Sequence, residues 1–293
     1  MPSLKAIRNR IGAVKNTQKI TRAMKMVSAA KLNRAQQAII EARPYAQRLM
    51  QVLHDVALRA ETQDHPLLAR REPVQRTMLI VVTADRGLCG AFNANIIRRA
   101  ERYIAEETAA GKEVSLGLVG RKGTDHFRRR RGNVEAEFRD VFVGGLGFAD
   151  AKNIGDWIVD HYVSAAPPLD EVSLVYNEFK SAVSQKVTVE KLLPIDPTEL
   201  AEAGGTGTEF IYEPDKEALL NLLLPLYVNF EVFRVLLESL ASEHGARMSA
   251  MENATTNAAE MLGALQLQYN RGRQAAITKE LMEIIGGAEA LKG

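Results

Sequence analysis

The stretch LYVNFEVFRVLLESLASEHGARMSAMENATTNAAEMLGALQLQY, residues 226–269, decides the fold. Seam positions recur at Leu226, Phe230, Phe233, Leu237, Leu240, His244, Met248, Met251, Ala254, Ala258, Met261, Leu265 and Tyr269. The steps alternate largely between four and three, with a local slip near Met248. That is a coiled-coil spacing held for about six heptads. The helical pattern begins after Pro214, with Asp215 as a candidate N-cap, and reaches Ile285, where Gly286-Gly287 is a natural stop. Pro225 is expected to kink its first turns.

The other end of the chain reads the same way. From Leu4 to about residue 54, Ala, Lys, Arg, Gln, Leu and Met dominate, and Ser3 is a candidate N-cap. Leu4, Ile7, Ile11, Val14, Thr21, Ser28, Leu32, Ala35 and Ile39 fall on one helix face. Pro44 is expected to kink or interrupt this helix. Helices of about 50 and 70 residues span roughly 75 and 105 Å, too long for a globule whose radius of gyration would be about 19 Å. Two such helices flanking an inserted domain must run antiparallel, and the C-terminal one is expected to overhang by about 20 residues.

Between them the period changes. MLIVVT (78–83), VSLGLV (114–119), VEAEFRDVF (134–142), EVSLVYNEF (171–179) and KVTVEKLL (186–193) read as strands. FNANIIRRAERYIAEET (92–108), KGTDHFRRRR (122–131) and FADAKNIGDWIVDHYVS (148–164) read as helices. Strands alternating with helices predict a largely parallel sheet, and the last two strands are spaced as a hairpin. The expected organisation is an N-terminal coiled-coil helix at 1–58, an inserted Rossmann-like α/β domain at 76–194, a glycine-containing linker at 195–213 and a C-terminal coiled-coil helix at 214–286.

Hydrophobic residues at 46% and charged residues at 25% suit a soluble protein, and the longest uncharged run, 218–230, is too short to cross a bilayer. The N-terminus has no apolar stretch resembling a secretory signal, and one cysteine, Cys89, fits a reducing compartment. The net charge of +2 hides an asymmetry: residues 1–50 hold eleven Lys/Arg and one acid, Glu41, while the remainder is acidic. Such a basic segment faces an acidic protein, nucleic acid or anionic lipid. Residues 1–44 contain no aromatic side chain on which bases could stack, so an acidic protein partner is favoured.

No catalytic constellation emerges. The loops DRGLCGAFN (85–93) and GLVGRKGTD (117–125) match neither dinucleotide nor P-loop spacing, and turn geometry accounts for their glycines. The five histidines form no metal pair, so no catalytic residue, metal ligand or cofactor is expected. At the C-terminal tip, RGRQAAITKELMEIIGGA (271–288) carries Ile277, Leu281, Met282, Ile284 and Ile285. On an overhanging helix end these need burial by another chain. Two other classes remain open: a nucleotide-binding α/β protein with helical arms, and a basic coiled-coil nucleic-acid binder.

LKAIRNRIGAVKNTQKITRAMKMVSAAKL (4–32), DRGLCGAFN (85–93) and SEHGARMSAMENATTNAAEMLGALQLQYNRGRQAAITKELMEIIGGA (242–288) closely resemble the gamma-subunit family of the F-type ATP synthases. The resemblance spans the chain and is weakest over 120–215. It implies a non-catalytic rotor subunit in the central stalk, turning inside a ring of alpha and beta subunits and coupling c-ring rotation to ATP synthesis. The implied partners are the alpha and beta subunits, the epsilon subunit and the membrane c-ring, with no nucleic acid and no direct membrane insertion. The implied location is peripheral, at the cytoplasmic face of a bacterial membrane.

Carried over by motif, Met24, Arg86, Arg273, Gln274 and Thr278 would meet the beta subunits. A basic collar of Arg8, Arg10, Lys19, Arg22 and Lys25 would approach their acidic segments. Tyr176, Asn177, Glu178 and Phe179 would lie on the c-ring and epsilon side. Chloroplast members carry a regulatory cysteine pair; with Cys89 alone, thiol switching is not expected here.

Overall fold

The computed structural model describes residues 3–57, 65–130, 132–196 and 216–290. The order is α1 (Leu4–Ala57), β1 (Arg76–Val82), α2 (Phe92–Ala109), β2 (Glu113–Val119), α3 (Arg121–Arg129), β3 (Val134–Phe138), α4 (Phe148–Ser164), β4 (Glu171–Phe179), β5 (Gln185–Leu193) and α5 (Lys216–Ala290). The chain divides into two compact units, one gathering Met1–Ser28 with Met248–Gly293, the other Ala29–Arg247. The candidate cap Asp215 and the linker glycines lie outside the described residues.

In the first unit two helical segments run antiparallel. The Thr21 and Thr255 hydroxyls hydrogen-bond at 2.7 Å, Lys25 Nζ donates to Glu252 Oε1 at 2.6 Å, and Gly272 lies against Leu4. Rising numbers on α1 thus meet falling numbers on α5. Ser3 caps α1 as expected, its Oγ accepting the Ala6 N–H at 3.2 Å. Ile7, Thr21 and Ser28 are buried on α1, and Met251, Ala258 and Leu265 on α5. The expected seam needs correction at one position, since Met261 is 45% exposed, and Thr255, beside the half-buried Ala254, hydrogen-bonds the partner helix. The row Met251, Thr255, Ala258, Leu262, Leu265, Tyr269 keeps a strict alternation of four and three, which holds one stripe toward a single neighbour.

The second unit is built on a five-stranded sheet in the order β3-β2-β1-β4-β5. β1 pairs in parallel with β2 and β4, β2 with β3, and β5 closes the edge antiparallel to β4, as the hairpin spacing predicts. Side chains alternate across the pleat. Met78, Ile80 and Val82 join Ile154 and Ile158 of α4, Leu49 and Leu53 of α1, and Leu224, Val228 and Leu236 of α5 in one core. Leu79 and Val81 join Phe92, Ile96 and Ala100 of α2 and Phe127 of α3 in the other. At the α4–α5 crossing Gly155 permits close approach: a Cβ there would lie 2.0 Å from Asn229 Oδ1 and 3.0 Å from its Cα.

Two boundaries differ from expectation. β3 ends at Phe138 rather than residue 142, because Asp140 turns the chain at φ 60° and gives its N–H to Asp85 Oδ1 at 3.0 Å. α1 continues through Pro44 and α5 through Pro225; each proline removes one helical hydrogen bond, while Leu49, Leu53, Leu224 and Val228 anchor the surrounding turns in the core. Gly286-Gly287 does not stop α5, which reaches Ala290. α5 is long and apolar enough by composition to pass as a membrane span, yet half of its most apolar window is buried inside the protein. That is the behaviour of a core helix.

Candidate partner-contact surfaces

Within the first unit, Arg8, Arg10, Lys19 and Arg22 project from α1 and are exposed, with no carboxylate partner among the described residues. Lys25 differs from the other four, because Glu252 already holds it. Both partners of that pair are substantially exposed, so its contribution stays within about 0–1 kcal/mol. Lys19, Arg22 and Lys25 border a groove of about 390 Å³ whose other wall includes Glu252 and Thr255. Met24 is only half-exposed, while Met26, which sequence reasoning passed over, is 68% exposed together with Ile20 and Val27. Their positions off the heptad stripe are the signal that would have found them.

On α5, Arg273, Gln274 and Thr278 lie just beyond the turn that meets Leu4, and all three are exposed. Ile277, Leu281, Met282, Ile284 and Ile285 follow, each at least half exposed. No described residue covers these five side chains. Lys279 and Glu283 pair at 3.6 Å across one turn, an exposed contact of small worth.

In the second unit, Arg86 lies in the loop after β1. Asp85, almost buried, accepts the N–H groups of Arg121, Asp140 and Phe142 at 3.0, 3.0 and 3.3 Å, tying three loops together. Arg86 is exposed, and Leu88 stands beside it at φ 64°. Cys89 is buried, and burial pushes its thiol pKa up, so it is poorly suited to nucleophilic work.

A doubly wound sheet binds ligands beyond the carboxyl ends of its strands, where the strand order reverses. Here that point lies between β1 and β4, and α5 occupies it. Arg247 pairs with Glu243 at 2.6 Å and donates to the Gly87 carbonyl from Nη2 at 3.2 Å and Nε at 3.4 Å. Burial raises the Glu243 pKa, and burial with the neighbouring Arg247 lowers His244 to about 4. Sequence reasoning treated His244 as a seam residue and missed Glu243 and Arg247, whose partner is some 160 residues away.

Tyr176 and Asn177 prove to be interior. The Tyr176 hydroxyl donates to Glu190 at 2.6 Å and accepts from Arg234 at 3.3 Å, and the Asn177 amide reaches the Phe92 carbonyl at 3.4 Å. Strand alternation and the closing hairpin bury them, leaving Glu178, paired with Lys180, and Phe179 as the half-exposed residues of this stretch. Among the described residues no group of three or more His, Cys, Asp or Glu is placed to hold a metal.

A family model described as ATP synthase matches residues 3–291. The chain is 55% identical over 296 residues to an ATP synthase gamma chain of Anaeromyxobacter sp. (strain Fw109-5), covering all of both sequences. It is 52% identical over 293 residues to the gamma chain of Geobacter metallireducens, again with complete coverage. Among solved structures it resembles a chain of the Tetrahymena thermophila mitochondrial ATP synthase central stalk and c-ring, with TM-score 0.60 and 29% identity over 80% of this chain and 99% of that one. A chain of the Euglena gracilis mitochondrial ATP synthase shares the fold at TM-score 0.66 and 23% identity, over 98% of this chain and 94% of that one.

Proposed function

The chain belongs to the ATP synthase gamma-chain family, non-catalytic subunits of the central stalk, and from that premise we propose how its surfaces are used. The antiparallel helices of the first unit turn within a ring of alpha and beta subunits. The second unit serves the foot of the stalk, toward the epsilon subunit and the c-ring, where Glu178 and Phe179 offer contact surface. The complex lies peripherally at the cytoplasmic face of a bacterial membrane, and this subunit binds no nucleic acid.

The observation that carries this reading is the bare tip of α5. Five large apolar side chains stand exposed beyond the last turn that packs on α1. A coupling shaft needs a surface that turns against its sleeve without breaking directional bonds at each angle, and apolar contact has that property. Arg273, Gln274, Thr278 and Arg86 supply the polar contacts with the beta subunits, and Met24 adds an apolar one. Arg8, Arg10, Lys19 and Arg22 supply diffuse attraction to acidic segments, each pair worth about 0–1 kcal/mol, so no single pair carries the torque.

Deletion of residues 274–293 tests the reading in the assembled complex. The expected result is retained assembly and unchanged thermal stability of the isolated chain, with weaker coupling of proton flow to ATP turnover. Unchanged coupling would remove the tip from the mechanism. Co-purification with alpha and beta subunits at one copy per ring tests the stalk assignment itself.

A further inference from the structure

At the amino-terminal end of the sheet, opposite the crevice that α5 fills, a cavity of about 160 Å³ lies between β1–β3 and the end of α4. A void of about 150 Å³ admits a benzene-sized molecule, so this one has room for about six non-hydrogen atoms and none for a nucleotide. Ser115 of β2 lies directly opposite Met78 of β1, and Met78 belongs to the core shared with α4. Opposed residues of paired strands point to the same face, so the Ser115 side chain is aimed at α4 and into the cavity it lines. Ser115 is 6% exposed, and its Oγ has no hydrogen-bond partner among the described residues. Buried hydroxyls in native folds are nearly always paired, so this one calls for a partner inside the cavity.

Charge decides what kind of partner fits. The one guanidinium on the lining, Arg76, is already engaged: it pairs with Glu113 at 2.5 Å and donates to the Pro167 carbonyl at 3.2 Å. Glu135 is different. Leu116 and Gly117 of β2 face Val134 and Ala136 of β3, so Glu135 is the extra residue of a bulge, a device that re-aims side chains at sheet edges. Its carboxylate borders the cavity with no cationic partner among the described residues. Because Arg76 offsets Glu113, the lining keeps one uncompensated negative charge. α4 also ends on this cavity at Ala165, and the carboxyl end of a helix adds negative potential. Asn133 brings a free side-chain amide, and the His161 ring, stacked on Trp157 with centroids 5.0 Å apart, forms a flat wall.

We propose that this cavity binds a small primary ammonium compound, which donates its N–H groups to Glu135, Ser115 Oγ and Asn133 Oδ1 and lays its carbon chain on the His161 ring. An anion would meet Glu135 and the helix end with no free cation to hold it. A metal ion would lack a ligand set, since among the described residues no group of three or more His, Cys, Asp or Glu is placed to hold one. An ammonium matches both features, the single charge and the convergent acceptors, and ammonium–carboxylate hydrogen bonds are among the strong ones. The site lies wholly within the second unit and takes nothing from the stalk reading.

Trp157, the single tryptophan, reports from the other face of His161. Titration of the purified full chain with ethanolammonium chloride at fixed ionic strength should give a saturable change in its fluorescence and a rise in the thermal midpoint. Glu135→Gln, at an exposed edge position, should weaken that binding about tenfold, and Ser115→Ala several-fold. Without the probe, Ser115→Ala should leave stability unchanged or higher, because it removes an unmet buried hydroxyl. Sodium chloride, ethylene glycol and tetramethylammonium chloride should give no saturable response, lacking respectively a directional donor, a charge and an N–H group. No saturable response to ethanolammonium, or one indifferent to both substitutions, would overturn the proposal. An equal response to sodium or to ethylene glycol would mark a hydrated cavity only and overturn it too. So would a loss of stability in probe-free Ser115→Ala, which would show that the hydroxyl is already satisfied.

Discussion

Replacing Arg247 with alanine should destabilise the second unit severely and with a particular pH dependence. The Arg247 and Glu243 side chains are only 10% and 7% exposed, and their contact is 2.6 Å. Removing one member of a buried pair strands the other, a loss of about 3–5 kcal/mol. The two hydrogen bonds to the Gly87 carbonyl go as well, but they are long, and a carbonyl near the surface finds water. Acid should narrow the gap between wild type and variant. Burial already raises the Glu243 pKa and Arg247 restrains it, so without the guanidinium it rises further. A raised carboxyl stabilises the folded variant below its unfolded pKa, and that contribution is lost as pH rises through the folded value. His244 acts in the same sense. In wild type it is held at about 4 against an ordinary 6.5, so stability falls as pH drops between these values, and Arg247→Ala relieves part of the effect. Urea unfolding followed by fluorescence of the single Trp157, on α4 of this unit, measures both quantities. Arg247→Met with Glu243→Gln should lose less than Arg247→Ala, because no charge is stranded. A loss below about 1 kcal/mol at neutral pH, or a gap that widens toward pH 5, would refute the buried-pair argument.

Gly155→Ala should cost about 1–3 kcal/mol despite alanine's better helix propensity, since its Cβ collides with Asn229 and pushes at the α5 backbone; equal or higher thermal stability would show that the α4–α5 crossing relaxes freely. Tyr176→Phe should cost about 0.5–1.5 kcal/mol by urea unfolding, the net worth of a hydroxyl held by Glu190 and Arg234. Burial chiefly, opposed by Arg234 and reinforced by Glu190, also drives the Tyr176 phenol well above the usual tyrosine range. Alkaline absorbance titration should therefore find one more late-ionising tyrosine in wild type than in Tyr176→Phe, and identical late phases would contradict the burial.

Sequence periodicity determined the two terminal helices and the alternating strands and helices between them. These are local properties: the faces of a helix or strand are set by bonded neighbours a few residues apart, so the spacing of Ile7, Thr21 and Ser28 suffices. The motifs at 4–32, 85–93 and 242–288 carried the family, which no single site residue could have done. Only the tertiary structure decided which side chains of those patterns are available. Periodicity left the phase at Met261 one residue off. Spacing could not reveal that Glu252 engages Lys25, that β5 and α5 enclose Tyr176, or that α5 fills the crevice after β1 with Arg247. Those outcomes depend on contacts between residues far apart in the chain, where burial decides whether a charge or hydroxyl finds its partner inside the protein or is left to meet one outside.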